Sequence, residues 1–152
     1  MKLIEFLQPS AVLGDLTGAT AQAVLVDLCR PISAARRVDN QRLLDVLLER
    51  EKLGSTGIGD GVAIPHGKVP GLPALTASFG RSRQGVDFKA IDGKPTYLFF
   101  ALFAPENSAG LHLKALARIS RIFKSAAFRE AILAADDAAA MYRLVEQEDA
   151  KY

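Results

Sequence analysis

Three side chains stand out as able to do chemistry: two histidines, His66 and His112, in a chain that has no others, and one arginine, Arg50. His66 lies near the end of the stretch GSTGIGDGVAIPHGK, residues 54–68, where Gly57, Gly59, Gly61 and Gly67 bracket it. Glycine permits positive φ and close approach, so successive backbone N–H groups can turn toward one point and hold an anion. Pro65 fixes its own φ and keeps Ile64 out of the helical region, which presents His66 at the end of an extended segment. A neutral imidazole held that way has one nitrogen free to attack phosphorus. The other donates a hydrogen bond, often to a carbonyl, and so sets the tautomer. An ordinary turn histidine is the plainer alternative, and the glycine frame favours the nucleophile.

Arg50 and His112 have two readings each. Leu43, Leu47 and Arg50 follow the i, i+4, i+7 rule, which puts Arg50 on or beside the apolar stripe in the last turn of a helix. There it is either a snorkelling arginine that complements the helix dipole or a guanidinium aimed into a site. His112 follows PENSAGL, and with Ser108 as N-cap it lies in or just past the first helical turn. It is either a partly buried surface histidine or a neutral ring, kept so by the helix N-terminus, donating N–H to a phosphoryl oxygen.

Rival chemistries fit less well. A Walker loop needs glycine where Val62 stands and Ser or Thr where Val69 stands; the dinucleotide fingerprint G-x-G-x-x-G also fails at Val62. Ser55 and Thr56 have no orienting acid and no G-x-S-x-G elbow, so hydrogen bonding around the loop is their expected role. Two histidines and the remote Cys29 make a poor zinc site, so no metal and no cofactor is expected. Nineteen Lys and Arg against seventeen Asp and Glu give a formal charge of +2 without a basic block, which argues against nucleic acid. Cys29 sits in an apolar helical stretch and reads as a small buried hydrophobe, which excludes a disulfide scaffold. The densest apolar run, Tyr97–Ala104, is far short of the ~20 residues of a membrane helix, and MKLIEFLQPS has no signal-peptide pattern. These features describe a soluble, cytoplasmic protein.

The elements that must position these groups read as one α/β domain over residues 1–152, with a central mixed sheet flanked by helices. A short N-terminal helix precedes a brief strand at AVLGDL. A helix from Thr20 to Cys29 is stopped by Pro31, and a second runs from an Asp39 N-cap to about Lys52, ended by Gly54 in a left-handed conformation. LTASFG and PTYLFFALFA are strands, with turn signals at Gln84-Gly85 and Asp92-Gly93 and an alternating GVDFKAI between them. From Asn107 the pattern is helical, with Leu113, Leu116, Ser120 and Phe123 at helical spacing, then FREAIL, then a last helix started by Asp136 or Asp137.

GSTGIGDGVAIPHGK resembles the active-site signature of the enzyme IIA proteins of the phosphoenolpyruvate-dependent phosphotransferase system, in the fructose/mannitol class and most closely its nitrogen-regulatory branch. LEREKL upstream and GVDFKAIDGKP and HLKALARI downstream extend the resemblance over residues 40–125. It implies a phosphocarrier whose His66 accepts a phosphoryl group from a histidine-phosphorylated carrier protein of the HPr/NPr type, with Arg50 and His112 assisting. It also implies a regulator of partners such as potassium-transport systems or sensor kinases. A sugar-specific enzyme IIA serving a membrane transporter is the alternative within the family, and a non-catalytic anion- or protein-binding module the alternative outside it.

Overall fold

The computed structural model describes residues 1–152. After a short 3-10 turn at Leu3–Glu5, the chain forms β1 (Leu7–Leu13), α1 (Ala21–Arg36), α2 (Asn40–Lys52), β2 (Gly57–Gly59), β3 (Val62–Ala63) and β4 (His66–Lys68). Then follow β5 (Thr76–Val86), β6 (Thr96–Ala104), α3 (Ala109–Ile122), α4 (Ala126–Ala134) and α5 (Ala138–Asp149). The strands make one mixed sheet in the order β1-β5-β6-β3-β2, with β4 paired to β6 beside that path. No helix is long and apolar enough to cross a membrane.

The layers follow from side-chain alternation. On β5, Ser78 gives its hydroxyl to the Leu28 carbonyl of α1 at 2.7 Å, while the next residue, Phe79, stacks on Phe100 and on Phe123 at the end of α3. Neighbouring strand residues point to opposite faces, so α1 covers one face and α3 the other. A strand covered on both faces reads as an unbroken apolar run, and Leu98–Ala104 of β6 is buried throughout.

Several boundaries differ from those the sequence suggests. The first strand begins at Leu7 instead of Ala11; Pro9 is tolerated because β1 is an edge strand whose register jumps between Leu7 and Val12. Helix α1 runs through Pro31 to Arg36. Proline removes the N–H that would have served the Asp27 carbonyl, and the helix continues because Leu28, Cys29 and Ile32 around it are buried in the core. Gln84-Gly85 is an irregularity inside β5, not a turn, and GVDFKAI is not a strand: β5 ends at Val86, Phe88 is buried and Ile91 is exposed. Asp39 precedes α2 without a capping bond from its side chain, whereas Asp137 caps α5 by accepting the Ala140 N–H at 2.8 Å. On α3 the buried stripe is His112, Ala115, Ile119 and Ile122, and Leu113 is 68% exposed.

Candidate functional site

β3 and β4 are one strand interrupted at Pro65. The register against β6 does not slip: Val62 faces Leu98, Ala63 faces Phe99, and His66 faces Leu102. Proline has no N–H for the ladder, yet its carbonyl still accepts the Leu102 N–H at 2.9 Å. The alternation therefore continues across the break. His66 points to the face covered by α3, and Gly67 to the face covered by α2. A Cβ at Gly67 would overlap Val46 Cγ1, so this glycine lets α2 lie directly on β4. Arg50, one turn beyond Val46, reaches the site from that side.

His66 is half-buried, and its Nδ1 lies 2.7 Å from the Ile64 carbonyl oxygen. A carbonyl only accepts, so Nδ1 carries the proton and the lone pair of the neutral ring is on Nε2. Burial lowers the basicity of His66 most; the bond to Ile64 opposes this, the Arg50 charge adds to it, and the Glu51 charge opposes it. The lowered basicity favours the neutral ring, the state in which it is a nucleophile.

His112 packs edge-on against His66, with ring centroids 5.4 Å apart and planes 78° apart. It is 8% exposed, in the fourth residue of α3, and its Nε2 is buried with no hydrogen-bond partner. Burial is the chief cause that lowers its basicity, followed by the charge His66 carries when protonated and that of Lys68. Ser108 stands at the N-cap position, but its hydroxyl bonds the Pro105 carbonyl instead of capping the helix. An unpartnered ring nitrogen beside the nucleophile can serve a third group that arrives between them.

Arg50 is half-buried and makes one hydrogen bond within the protein, from Nη1 to the Gly54 carbonyl at 2.8 Å. It borders both depressions flanking β4. One, of about 320 Å³, is walled by Thr56, Ile58, Ile64, His66 and Leu116; the other, of about 590 Å³, lies over Gly67 and Lys68. The chain thus brings Arg50, His66 and His112 together.

The glycines are used differently from the amide cradle the sequence suggests. Asp60-Gly61 is the turn of the β2–β3 hairpin; φ is +57° and +76°, as a type I′ turn requires, and Asp-Gly is a favoured pair for it. Gly57 packs on Ala90, Gly59 faces Asp92, and Gly61 lies against Tyr97, while its carbonyl accepts the N–H groups of Tyr97 and Leu98. None of these three walls the His66 depression. No group of three or more histidine, cysteine or acidic side chains is placed to hold a metal ion.

The family model for the phosphoenolpyruvate-dependent sugar phosphotransferase system, EIIA 2, matches residues 5–148. The chain belongs to this EIIA 2 family. It is 37% identical over 145 residues to a nitrogen regulatory protein of Bradyrhizobium diazoefficiens, covering 95% of each chain. It is 32% identical to the fructose-specific EIIABC component of Bacillus subtilis, over 98% of this chain and 24% of that longer protein. Among solved structures, nitrogen regulatory protein IIA-Ntr of Neisseria meningitidis superposes with a TM-score of 0.87 at 33% identity, over 93% of this chain and 97% of that one.

Within this EIIA 2 domain, Glu51, a residue that the sequence left without a site role, adjoins the site, and Thr56 makes the loop hydrogen bonds expected of it. Glu51 follows Arg50, and its carboxylate accepts two bonds from Thr56: from the backbone N–H at 3.0 Å and from the hydroxyl at 2.6 Å. An acid five residues before a threonine, at the end of a helix, was the only available signal.

Proposed function

We propose that this EIIA 2 domain is a cytoplasmic regulatory phosphocarrier in which His66 accepts a phosphoryl group from a histidine-phosphorylated carrier protein of the HPr/NPr type. The observation that carries the reading is the His66 Nδ1 proton committed to the Ile64 carbonyl, which leaves the Nε2 lone pair for an incoming phosphorus. In the step, Nε2 forms the new N–P bond while the donor's N–P bond breaks and its electron pair returns to the donor imidazole. Such a transfer, through a loose transition state, depends on in-line positioning and on donors for the equatorial oxygens. Arg50 supplies a planar fork with donors to spare, and His112 supplies a second ring beside the nucleophile.

Phosphorylation adds about −1.5 to −2 charge at this open depression. That change is the regulatory signal: it selects which partner binds, potassium-transport systems and sensor kinases being the classes proposed. The nitrogen regulatory relatives favour regulation, whereas the fructose-specific relative favours onward transfer to a sugar transporter.

The test is intact-mass analysis and peptide mapping after exposure to phosphorylated carrier. One acid-labile phosphoryl group on the His66 peptide, absent from His66→Ala, is expected. Label retained in His66→Ala overturns the assignment. No mass gain with partner binding intact would make the domain a binding module. Passage of the label to purified sugar-transporter domains would make it an uptake component.

A further inference from the structure

The His66 tautomer depends on one carbonyl, so whatever fixes that carbonyl fixes the nucleophile. Ile64 is held at its other end as well: its N–H donates to the Thr56 carbonyl at 3.1 Å. Thr56 is only 5% exposed and is tied by its N–H and its hydroxyl to the two oxygens of Glu51. The neighbouring Ser55 gives its hydroxyl to the Phe88 carbonyl at 2.5 Å, which anchors the same loop to the far side of the hairpin. A continuous chain of hydrogen bonds therefore runs from Glu51 through Thr56 and Ile64 to His66 Nδ1.

We infer that Glu51 is a positioning residue for His66: its carboxylate fixes Thr56, and through the Thr56–Ile64 pairing it aims the carbonyl that keeps the imidazole in the Nδ1–H tautomer. The inference rests on the phosphocarrier reading for its kinetic consequence, and on geometry alone for the tautomer. Glu51 touches neither the reacting nitrogen nor the space before it. A carboxylate gripping both donors of one residue is suited to this, because charge-assisted bonds are shorter and stronger than neutral ones and two of them fix orientation. Pro65 removes the freedom of the peptide between Ile64 and the ring, so a displaced Ile64 carbonyl is carried to His66 instead of being absorbed. The last turn of α2 thereby serves the site twice, with Arg50 and with Glu51.

The experiment reads the two ring-nitrogen resonances of ¹⁵N-labelled His66, at a pH where the ring is neutral, alongside the rate of phosphoryl uptake from phosphorylated carrier. In the unaltered protein, Nδ1 is the protonated nitrogen. In Glu51→Ala the Nε2–H tautomer rises to a substantial fraction, and the uptake rate falls about tenfold, which is 1.4 kcal/mol in the barrier. Thr56→Val, which loses the hydroxyl bond, shifts both readouts in the same direction, while Thr56→Ser restores them. Glu51→Gln keeps one acceptor oxygen and gives a smaller shift, so it carries the test if the alanine variant does not fold. A folded Glu51→Ala or Glu51→Gln protein with the His66 tautomer unchanged overturns the inference, whatever its rate. A normal tautomer response in a protein that takes up no phosphate overturns the phosphocarrier reading and leaves the positioning role standing.

Discussion

On the interior strand β5, the Arg81 guanidinium is wholly buried. Its Nε donates to the Gly14 carbonyl at 2.9 Å, and its Nη1 to the Ile132 and Ala135 carbonyls at 2.8 and 2.7 Å, at the C-terminus of α4. On the last turn of α2, beside an edge strand, Arg50 is half-buried and gives one bond to Gly54. Arg81 ties the β1–α1 connection, the sheet and the end of α4 together by satisfying carbonyls that a helix terminus leaves open. Arg50 keeps most of its donors in reserve and borders open space. The difference separates a cation committed to the fold from one still able to meet an incoming anion: count the acceptors each has already engaged.

The largest expected effect is on stability at Arg81. Arg81→Ala removes the donor of the Gly14 and Ala135 carbonyls and empties a fully buried side-chain volume, so a loss of roughly 3 kcal/mol or more is expected in urea unfolding. Arg50→Ala inverts the pattern: phosphoryl uptake slows by about a hundredfold, the scale of losing one donor to developing charge. Its stability changes by less than about 1 kcal/mol. If Arg50→Ala unfolds the protein, or Arg81→Ala leaves stability intact, the contrast is broken.

A smaller effect sharpens it. Gly67→Ala forces a methyl group onto Val46 and should cost about 1–3 kcal/mol as overpacking. The double variant with Val46→Ala should recover much of that loss, because the two positions share one contact. Additive losses would show that Gly67 does not set the approach of α2 to β4.

The smallest effect is on pH dependence. Both histidines have lowered basicity in the folded protein, mainly through burial, so the unfolded chain binds more protons just below the ordinary histidine value of about 6.5. Stability is therefore full above that value and declines as pH falls through the lowered folded values. His112→Ala should flatten this slope, read as urea midpoints across pH 5–8; an unchanged slope would mean that His112 titrates as an ordinary surface histidine.

Much of this architecture was legible because it is written in local periodicity. The apolar run of β6, the stripe of α2 and the Asp137 cap need no tertiary information. The elements misplaced are those whose anomaly is satisfied from elsewhere. Pro31 stays within a helix because Leu28, Cys29 and Ile32 around it are buried in the core, and Pro9 lies in a strand because β1 is at an edge. At the site, the histidines and Arg50 could be picked out by residue type. The glycines were harder: Asp60-Gly61 carries a hairpin-turn signal that the glycine frame around His66 masked, and a helix-approach glycine such as Gly67 shows its role only when Val46 is seen against it. Glu51 was hard to single out because its bonds to Thr56 belong to a hydrogen-bond chain that its spacing from Thr56 only hints at.

The central claim is that one nitrogen of one ring, His66 Nε2, is the acceptor. The most direct measurement is the ¹⁵N and ³¹P spectrum of the protein after exposure to phosphorylated carrier. The expected result is a single phosphohistidine with phosphorus on Nε2 of His66 and the proton retained on Nδ1. Phosphorus on Nδ1 of His66, or on His112, would contradict the account.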